Sequence, residues 1–278
     1  MAQSPGILAR TRLTFGYKQL ATFAASGYDA RAGAKMSETM RISEQDEWKR
    51  AAAEAAAGLV EDGMVVGLGS GSTAAFFVTA LARRIGEQRL RIVGIPTSEH
   101  TAQQARSLKI PLATFAEQST IDLTVDGADE IQRGTLFLIK GHGGALLREK
   151  IVASISKRMA VVADETKVVE RLGSVFAVPV EIVPFGWEAT QRKLRDLGAN
   201  PSMRMAGQKP YVTDGGHYIM NCAFGPIDDP QDVAHRLDSV VGVVEHGLFL
   251  GFATEARIAG RDGVKTLKKA SDPQKSIP

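Results

Sequence analysis

Short apolar runs alternate with amphipathic stretches through most of the chain. Ser43-Glu44-Gln45-Asp46 has the form of a capping box, and the Ala-rich run from Trp48 to Val60 that follows reads as a helix. Beyond it, MVVGLG (64–69), RIVGIPT (91–97), LTVDGA (123–128), TLFLIK (135–140) and RMAVVAD (158–164) are compact apolar segments of the kind found in strands buried on both faces. Helical patterns separate several of them: TAAFFVTALARRI (73–85), TSEHTAQQARSLK (97–109) and GALLREKIVASIS (144–156). That order predicts an α/β fold, a mainly parallel sheet with helices on both faces.

The texture changes near Val175. VEIVPF (180–185), a helical pattern at Trp187 to Leu197, a hairpin-like YVTDGGHYIMNCA around Asp214-Gly215-Gly216, and a second helical pattern at Asp229 to Leu237 predict a small α+β unit. GLFLGFATEARIAG (247–260) returns to strand texture and is expected to rejoin the first sheet. The reading divides the chain into 41–173 plus 247–267 as the larger domain, 174–246 as an inserted smaller one, and 268–278 as a tail.

Residues 1–40 stand apart. Arg10, Arg12, Lys18, Arg31 and Lys35 face a single acid, Asp29, in the first 35 residues, a composition shared with organellar transit peptides. Met36 and Met40 lie just before the first helix start, which favours an upstream-extended leader outside the fold, expected to be poorly ordered.

Composition narrows the function. With 278 residues and 44% hydrophobic content the chain can bury a real core. Its 34 basic and 31 acidic residues are interspersed, so the net charge of +3 gives no reason to expect nucleic acid, and a small anionic substrate explains a local basic site equally well. No apolar run is long enough for a membrane span. A single cysteine, Cys222, excludes an intramolecular disulfide, and neither Cys nor His shows metal-ligand spacing, so the expectation is a reducing, cytoplasmic setting with no metal and no cofactor.

Three segments carry chemistry. GLGSGSTAAFF (67–77) follows a strand and opens a helix, where amides and the helix dipole can receive a phosphate. Ser70, Gly71, Ser72 and Thr73 suit a terminal phosphate, and Gly69 to Ala74 also fits a dinucleotide turn, although RIVGIPT lacks the acid that would bind a ribose hydroxyl. A tight turn without a ligand is the third alternative. In DLTVDGADEI, Asp126 and Asp129 flank Gly127-Ala128 at a strand end, where they suit a shared ligand, a helix cap or a thin metal site. LIKGHGGALLREK places Lys140 at another strand end before Gly141, His142 and Gly143, able to answer the carboxylates or neutralise an oxyanion. With a helix starting near Gly144, Glu149 lies about a turn and a half inside it, either as an exposed member of Arg148-Glu149-Lys150 or as a buried carboxyl poised as a base.

Taken together, GLGSGST, Thr97-Ser98-Glu99, DGADE, KGHGGALLREK and ADETK in this order resemble the ribose-5-phosphate isomerases of type A, from about Glu44 to Leu267. The resemblance implies a Rossmann-like domain carrying an inserted smaller α+β domain, an aldose-ketose isomerase of the non-oxidative pentose phosphate pathway, no cofactor, and a homodimer or homotetramer. It implies Glu149 as the base that moves a proton between C2 and C1 through a cis-enediolate. Lys140, with the amides of Gly141, His142 and Gly143, becomes the oxyanion partner. Asp126, Gly127, Ala128 and Asp129 become the sugar-binding turn, with Asp126 assisting ring opening. Phosphate falls to Ser70, Gly71, Ser72 and Thr73, supported by Lys167 and Lys49. His142 stands where the family often has a small residue. A sugar-phosphate sensor sharing the fold, or a related sugar-phosphate isomerase or deaminase, is the alternative.

Overall fold

The computed structural model of the protein describes residues 43–269. The expected leader, 1–40, and nearly all of the expected tail lie outside these residues. The first described helix, α1 (Glu44–Ala57), is capped by Ser43, whose hydroxyl accepts from Asp46 N at 3.1 Å. Its buried face is a row of alanines, Ala52, Ala53, Ala56 and Ala57. Small side chains let α1 press closely against its neighbours.

The main sheet contains β1 (Val65–Leu68), β2 (Val93–Pro96), β3 (Leu123–Gly127), β6 (Met159–Asp164), β15 (Glu255–Gly260) and β16 (Gly263–Lys268). Its spatial order is β16-β15-β6-β3-β1-β2, with every pair parallel except the edge hairpin β15-β16. Helices α2 (Ser72–Gln88), α3 (Glu99–Ser107) and α4 (Leu146–Ser154) belong to the windings around it. One core lies between α1, α2 and the sheet, built on Val66, Leu68, Phe77, Leu81, Leu123 and Val125. Chain order reverses at β1: the path runs from β1 outward to β2, then returns to β3 on the other side of β1. At such a point loops leave the carboxyl ends of adjacent strands in opposite directions and open a crevice.

A second sheet, antiparallel throughout, has the order β13-β8-β12-β9, from β8 (Val178–Ile182), β9 (Asn200–Met203), β12 (Tyr218–Ala223) and β13 (Val243–His246). With α5 (Trp187–Asp196) and α6 (Pro230–Asp238) it forms the smaller α+β part, around Val180, Ile182, Leu194, Met220 and Leu237. The observed architecture is thus the α/β fold with an inserted α+β unit that the sequence predicts.

Two local expectations need correction. TLFLIK is not a strand of the parallel sheet. Only Leu138–Ile139 is extended (β5), and it joins a small separate sheet with β4 (Glu130–Gln132), β7 (Val168–Val169) and β14 (Leu248–Phe249), antiparallel to β4 and β14. Leu136 has φ 56, in the left-handed region, and this turn stops the run from extending further back. The turn at Asp214-Gly215-Gly216 does not join paired strands either; the hairpin here is Met205–Ala206 (β10) with Lys209–Pro210 (β11), turning at Gly207 with φ 63. β15 does rejoin the main sheet, parallel to β6, as GLFLGFATEARIAG suggests.

Candidate active site

The crevice at the chain reversal holds a cavity of about 300 Å³, lined by Gln45, Lys49, Ser70, Gly71, Ser72, Thr73, Gly127, Ala128, Asp129, Lys140, Gly141, Gly143, Glu149 and Lys167. The structure therefore brings together nearly all the residues singled out in the sequence. Asp126 and His142 do not line the cavity, whereas Gln45 does.

One end is the loop after β1. Gly71, with φ 90, is the N-cap of α2 and supplies no side-chain cap, and the first turn of the helix holds no acid. The amides at this helix start thus keep their capacity for an anion, reinforced by the helix dipole. Ser70 serves differently from the expectation of a hydroxyl donor to ligand. Its Oγ lies 2.7 Å from Thr97 Oγ1 and donates to Ser98 Oγ at 2.8 Å, within a hydroxyl cluster completed by Thr101. That cluster ties the loop to the start of α3, leaving Ser72, Thr73 and backbone amides as the donors on the open side. Lys49 and Lys167 supply positive charge; Lys49 also pairs with Asp46 at 3.1 Å, and the Lys167 ammonium sits 4.6 Å from the Phe176 ring centroid. Gln45 is one helical turn before Lys49, so the two share a face of α1, and its amide donates to Asp164 at 3.2 Å. The i, i+4 spacing from Lys49 was the available signal for it.

The other end is a buried charge cluster. Asp126, Lys140 and Glu149 are 0%, 2% and 4% exposed. Lys140 Nζ lies 3.0 Å from Asp126 Oδ2 and 3.4 Å from Glu149 Oε2, and donates to Gly127 O at 2.6 Å. Asp126 Oδ1 accepts from the amides of Ser70 (3.0 Å) and Gly127 (2.8 Å), so this carboxylate locks the phosphate-type loop to the lysine. A Cβ on Gly69 would come within 2.3 Å of Asp126 Oδ1, which explains the glycine at that position. Asp126 thus lies fully buried beside the lysine and off the cavity lining, whereas Asp129 is the aspartate on the wall.

Of its two expected settings Glu149 takes the buried one, slightly nearer the helix start than expected. α4 begins at Leu146, not near Gly144, so Glu149 is in the first turn, with neighbours Arg148 and Lys150 turned elsewhere, to Glu99 and Glu245. The N-terminal dipole favours a charged carboxylate there by about 0.3–1 kcal/mol. Burial outweighs it. Desolvation first, then the negative charge of Asp126, push the Glu149 carboxyl up to about 8, against the pull of Lys140. Burial likewise raises Asp126, opposed by Lys140 and two amides. The Lys140 ammonium is itself depressed by burial but held above its ordinary value by Asp126 and Glu149. Asp126 Oδ2 and Glu149 Oε2 both accept no hydrogen bond among the described residues, but Asp126 Oδ1 accepts two amides, so Glu149 is the less supported of the two carboxyls.

His142 is exposed and aimed away. Its amide donates to Asp129 Oδ2 at 3.0 Å, its ring packs edge-on against Phe176 with centroids 4.7 Å apart, and Nε2 lies 3.3 Å from Ala177 O. The expectation that this amide faces substrate is therefore corrected: it orients Asp129. The amides of Gly141 and Gly143 find no acceptor among the described residues and remain for a ligand oxygen.

The chain is similar to known proteins over most of its length. The family model of ribose 5-phosphate isomerase A (phosphoriboisomerase A) matches residues 93–263. A protein named ribose-5-phosphate isomerase A from Synechococcus sp. (strain JA-3-3Ab) is 54% identical over 230 residues, covering 82% of this chain and 100% of the relative. The chain belongs to the ribose 5-phosphate isomerase A family. Among solved structures, ribose 5-phosphate isomerase A from Methanocaldococcus jannaschii superposes with TM-score 0.77 at 40% identity, covering 81% of this chain and 99% of that one. A D-ribose-5-phosphate isomerase in complex with phospho-erythronic acid gives TM-score 0.78 at 37% identity, covering 81% and 100%. Membership of the ribose 5-phosphate isomerase A family agrees with a cavity that pairs an anion-receiving helix start with a buried carboxyl and ammonium.

Proposed function

We infer that this chain interconverts D-ribose 5-phosphate and D-ribulose 5-phosphate. The observation that carries the reading is the Glu149 carboxyl, pushed up to about 8, on the wall of the cavity beside Lys140. In the open-chain aldose, Glu149 takes the proton from C2, the C–H electrons form the C1–C2 double bond, and the former carbonyl electrons pass to O1. The Lys140 ammonium and the amides of Gly141 and Gly143 stabilise that oxygen charge. Returning the proton to C1, while the proton of the C2 hydroxyl leaves and one arrives at O1, gives the ketose with no change in composition. A positioned base supplies about 10²- to 10⁴-fold and one oxyanion donor about 2.7–4 kcal/mol, so both are required. Ring opening falls to Asp129, the aspartate on the cavity wall, held by the His142 amide. The phosphate binds at Gly71, Ser72 and Thr73 with Lys49 and Lys167, consistent with the bound phospho-erythronic acid of the relative.

The chemistry shifts a proton within one molecule and needs no redox group, and Lys140 supplies the positive field at the oxygen. The reading extends to a cytoplasmic homodimer or homotetramer acting on a small sugar phosphate, with no nucleic acid or membrane partner. Among the described residues no helix is long and apolar enough to cross a membrane. The test is purified protein with ribose 5-phosphate, following ribulose 5-phosphate in EDTA without nucleotide. Turnover at ordinary enzyme rates is expected; dependence on an added divalent ion contradicts the mechanism.

A further inference from the structure

Arg204 stands between β9 and β10, in the smaller α+β part and outside the cavity lining. Its backbone is fixed on both sides, donating from N to Ile219 O at 2.8 Å and accepting at O from Tyr211 N at 2.9 Å. The half-buried guanidinium leaves this sheet for the glycine loop of the site. Nη1 donates to Gly141 O at 2.8 Å and to His142 O at 3.0 Å, and Nη2 donates to Asn221 Oδ1 at 2.6 Å. One rigid fork thus holds two consecutive carbonyls, with Asn221 setting the plane of the fork.

The consequence follows from peptide geometry. In a planar trans peptide the C=O and the N–H of the next residue point in opposite directions. Drawing Gly141 O toward Arg204 turns the His142 amide the other way, and there it donates to Asp129 Oδ2 at 3.0 Å. Drawing His142 O toward Arg204 turns the Gly143 amide away as well, to the side of the loop that lines the cavity. Gly141 has φ 106, so glycine alone makes the bend that presents both carbonyls to one side.

We propose that Arg204 is a positioning residue for the isomerisation: through two carbonyls it aims the Gly143 amide at the substrate oxygen and fixes Asp129 on the cavity wall. It touches neither substrate nor the reacting atoms. The proposal rests on the isomerase reading above. Because the amide it aims stabilises charge that develops on oxygen during reaction, losing Arg204 falls on kcat, while phosphate binding at the start of α2 keeps KM nearly unchanged.

The test compares the wild-type chain with Arg204→Lys, Arg204→Ala and Asn221→Ala on ribose 5-phosphate, with thermal melts of each. A lysine is a point donor that cannot hold two carbonyls and Asn221 together, so Arg204→Lys is expected to lose roughly 10- to 100-fold in kcat, short of removing an oxyanion donor outright, with KM within about threefold. Asn221→Ala, which frees one side of the fork, loses kcat several-fold. Millimolar guanidinium ion restores part of the kcat of Arg204→Ala. Should Arg204→Ala fail to fold, Arg204→Lys and Asn221→Ala carry the decision. Wild-type kcat in folded Arg204→Lys, or a raised KM with kcat unchanged, overturns the proposal. A wild-type chain that does not turn over ribose 5-phosphate strikes the isomerase reading instead.

Discussion

The Glu149 carboxylate lies 3.4 Å from the Lys140 ammonium, with both side chains almost wholly out of water. At that distance a free ion pair would keep the carboxylate charged and a poor base. Two features prevent it: desolvation penalises the charge on Glu149, and the negative charge of Asp126, itself 3.0 Å from the ammonium, repels a second one. Lys140 is kept cationic by both carboxylates, Asp126 first. A carboxyl raised to about 8 and a fixed cation stand side by side, the pairing a working base would need.

The first prediction concerns pH. A carboxyl raised to about 8 accepts a carbon-bound proton only in its deprotonated form, so kcat/KM should rise with pH along an acidic limb centred near 8. Asp126→Asn removes a negative neighbour and releases Lys140 to Glu149; both effects lower the Glu149 pKa, and the limb should move to lower pH in whatever activity remains. An acidic limb that stays in place in Asp126→Asn, measured across pH 5 to 10, argues against the shared cluster.

Packing of Asp126 against the loop gives the second. Gly69 has no room for a methyl group: a Cβ would lie 2.4 Å from Asp126 Cγ and 2.5 Å from its Cα, and backbone cannot swing aside. Gly69→Ala should cost about 1–3 kcal/mol, a fall in Tm of roughly 2–12 °C for a domain of this size, with kcat reduced as Asp126 and Lys140 shift. Differential scanning calorimetry with a Tm within one degree of wild type would show the contact to be looser than described.

Phosphate recognition gives the third. On the proposed reading Thr73 and Lys167 bind a group remote from the reacting carbons, so Thr73→Ala and Lys167→Ala should raise KM more than they lower kcat. Free ribose should be a very poor substrate. Comparable kcat/KM for ribose and ribose 5-phosphate would remove the start of α2 from the site.

Much of this was legible along the chain because its signals are local. Apolar runs of strand length, glycines at strand ends and the order of the motifs gave the parallel sheet, the inserted α+β part and the loops at its carboxyl edge. Residues whose setting depends on distant chain were harder to place. Arg204 reads as one more surface charge until the fold puts it 2.8 Å from Gly141 O. The burial of Glu149 was open in Arg148-Glu149-Lys150, since three adjacent charged residues can face three ways around a helix. Ser70 looked like a ligand donor because nothing in GLGSGST shows that Thr97 and Ser98, nearly 30 residues on, would take its hydroxyl. His142 invited a role beside substrate, yet the left-handed turn at Gly141 and the pull of Arg204 direct its amide to Asp129.

The central claim, that Glu149 moves the proton, is tested most directly by Glu149→Gln with ribose 5-phosphate in deuterium oxide, following exchange at C2 by proton NMR. Glutamine keeps the size and polarity of the side chain but cannot accept a proton from carbon. The account predicts that the variant folds and binds substrate, that kcat falls by several orders of magnitude, and that C2 exchange stops. A Glu149→Gln protein that keeps a tenth or more of wild-type turnover and still exchanges the C2 hydrogen would contradict it and pass the role of base to another group in the cavity, with Asp129 first among them.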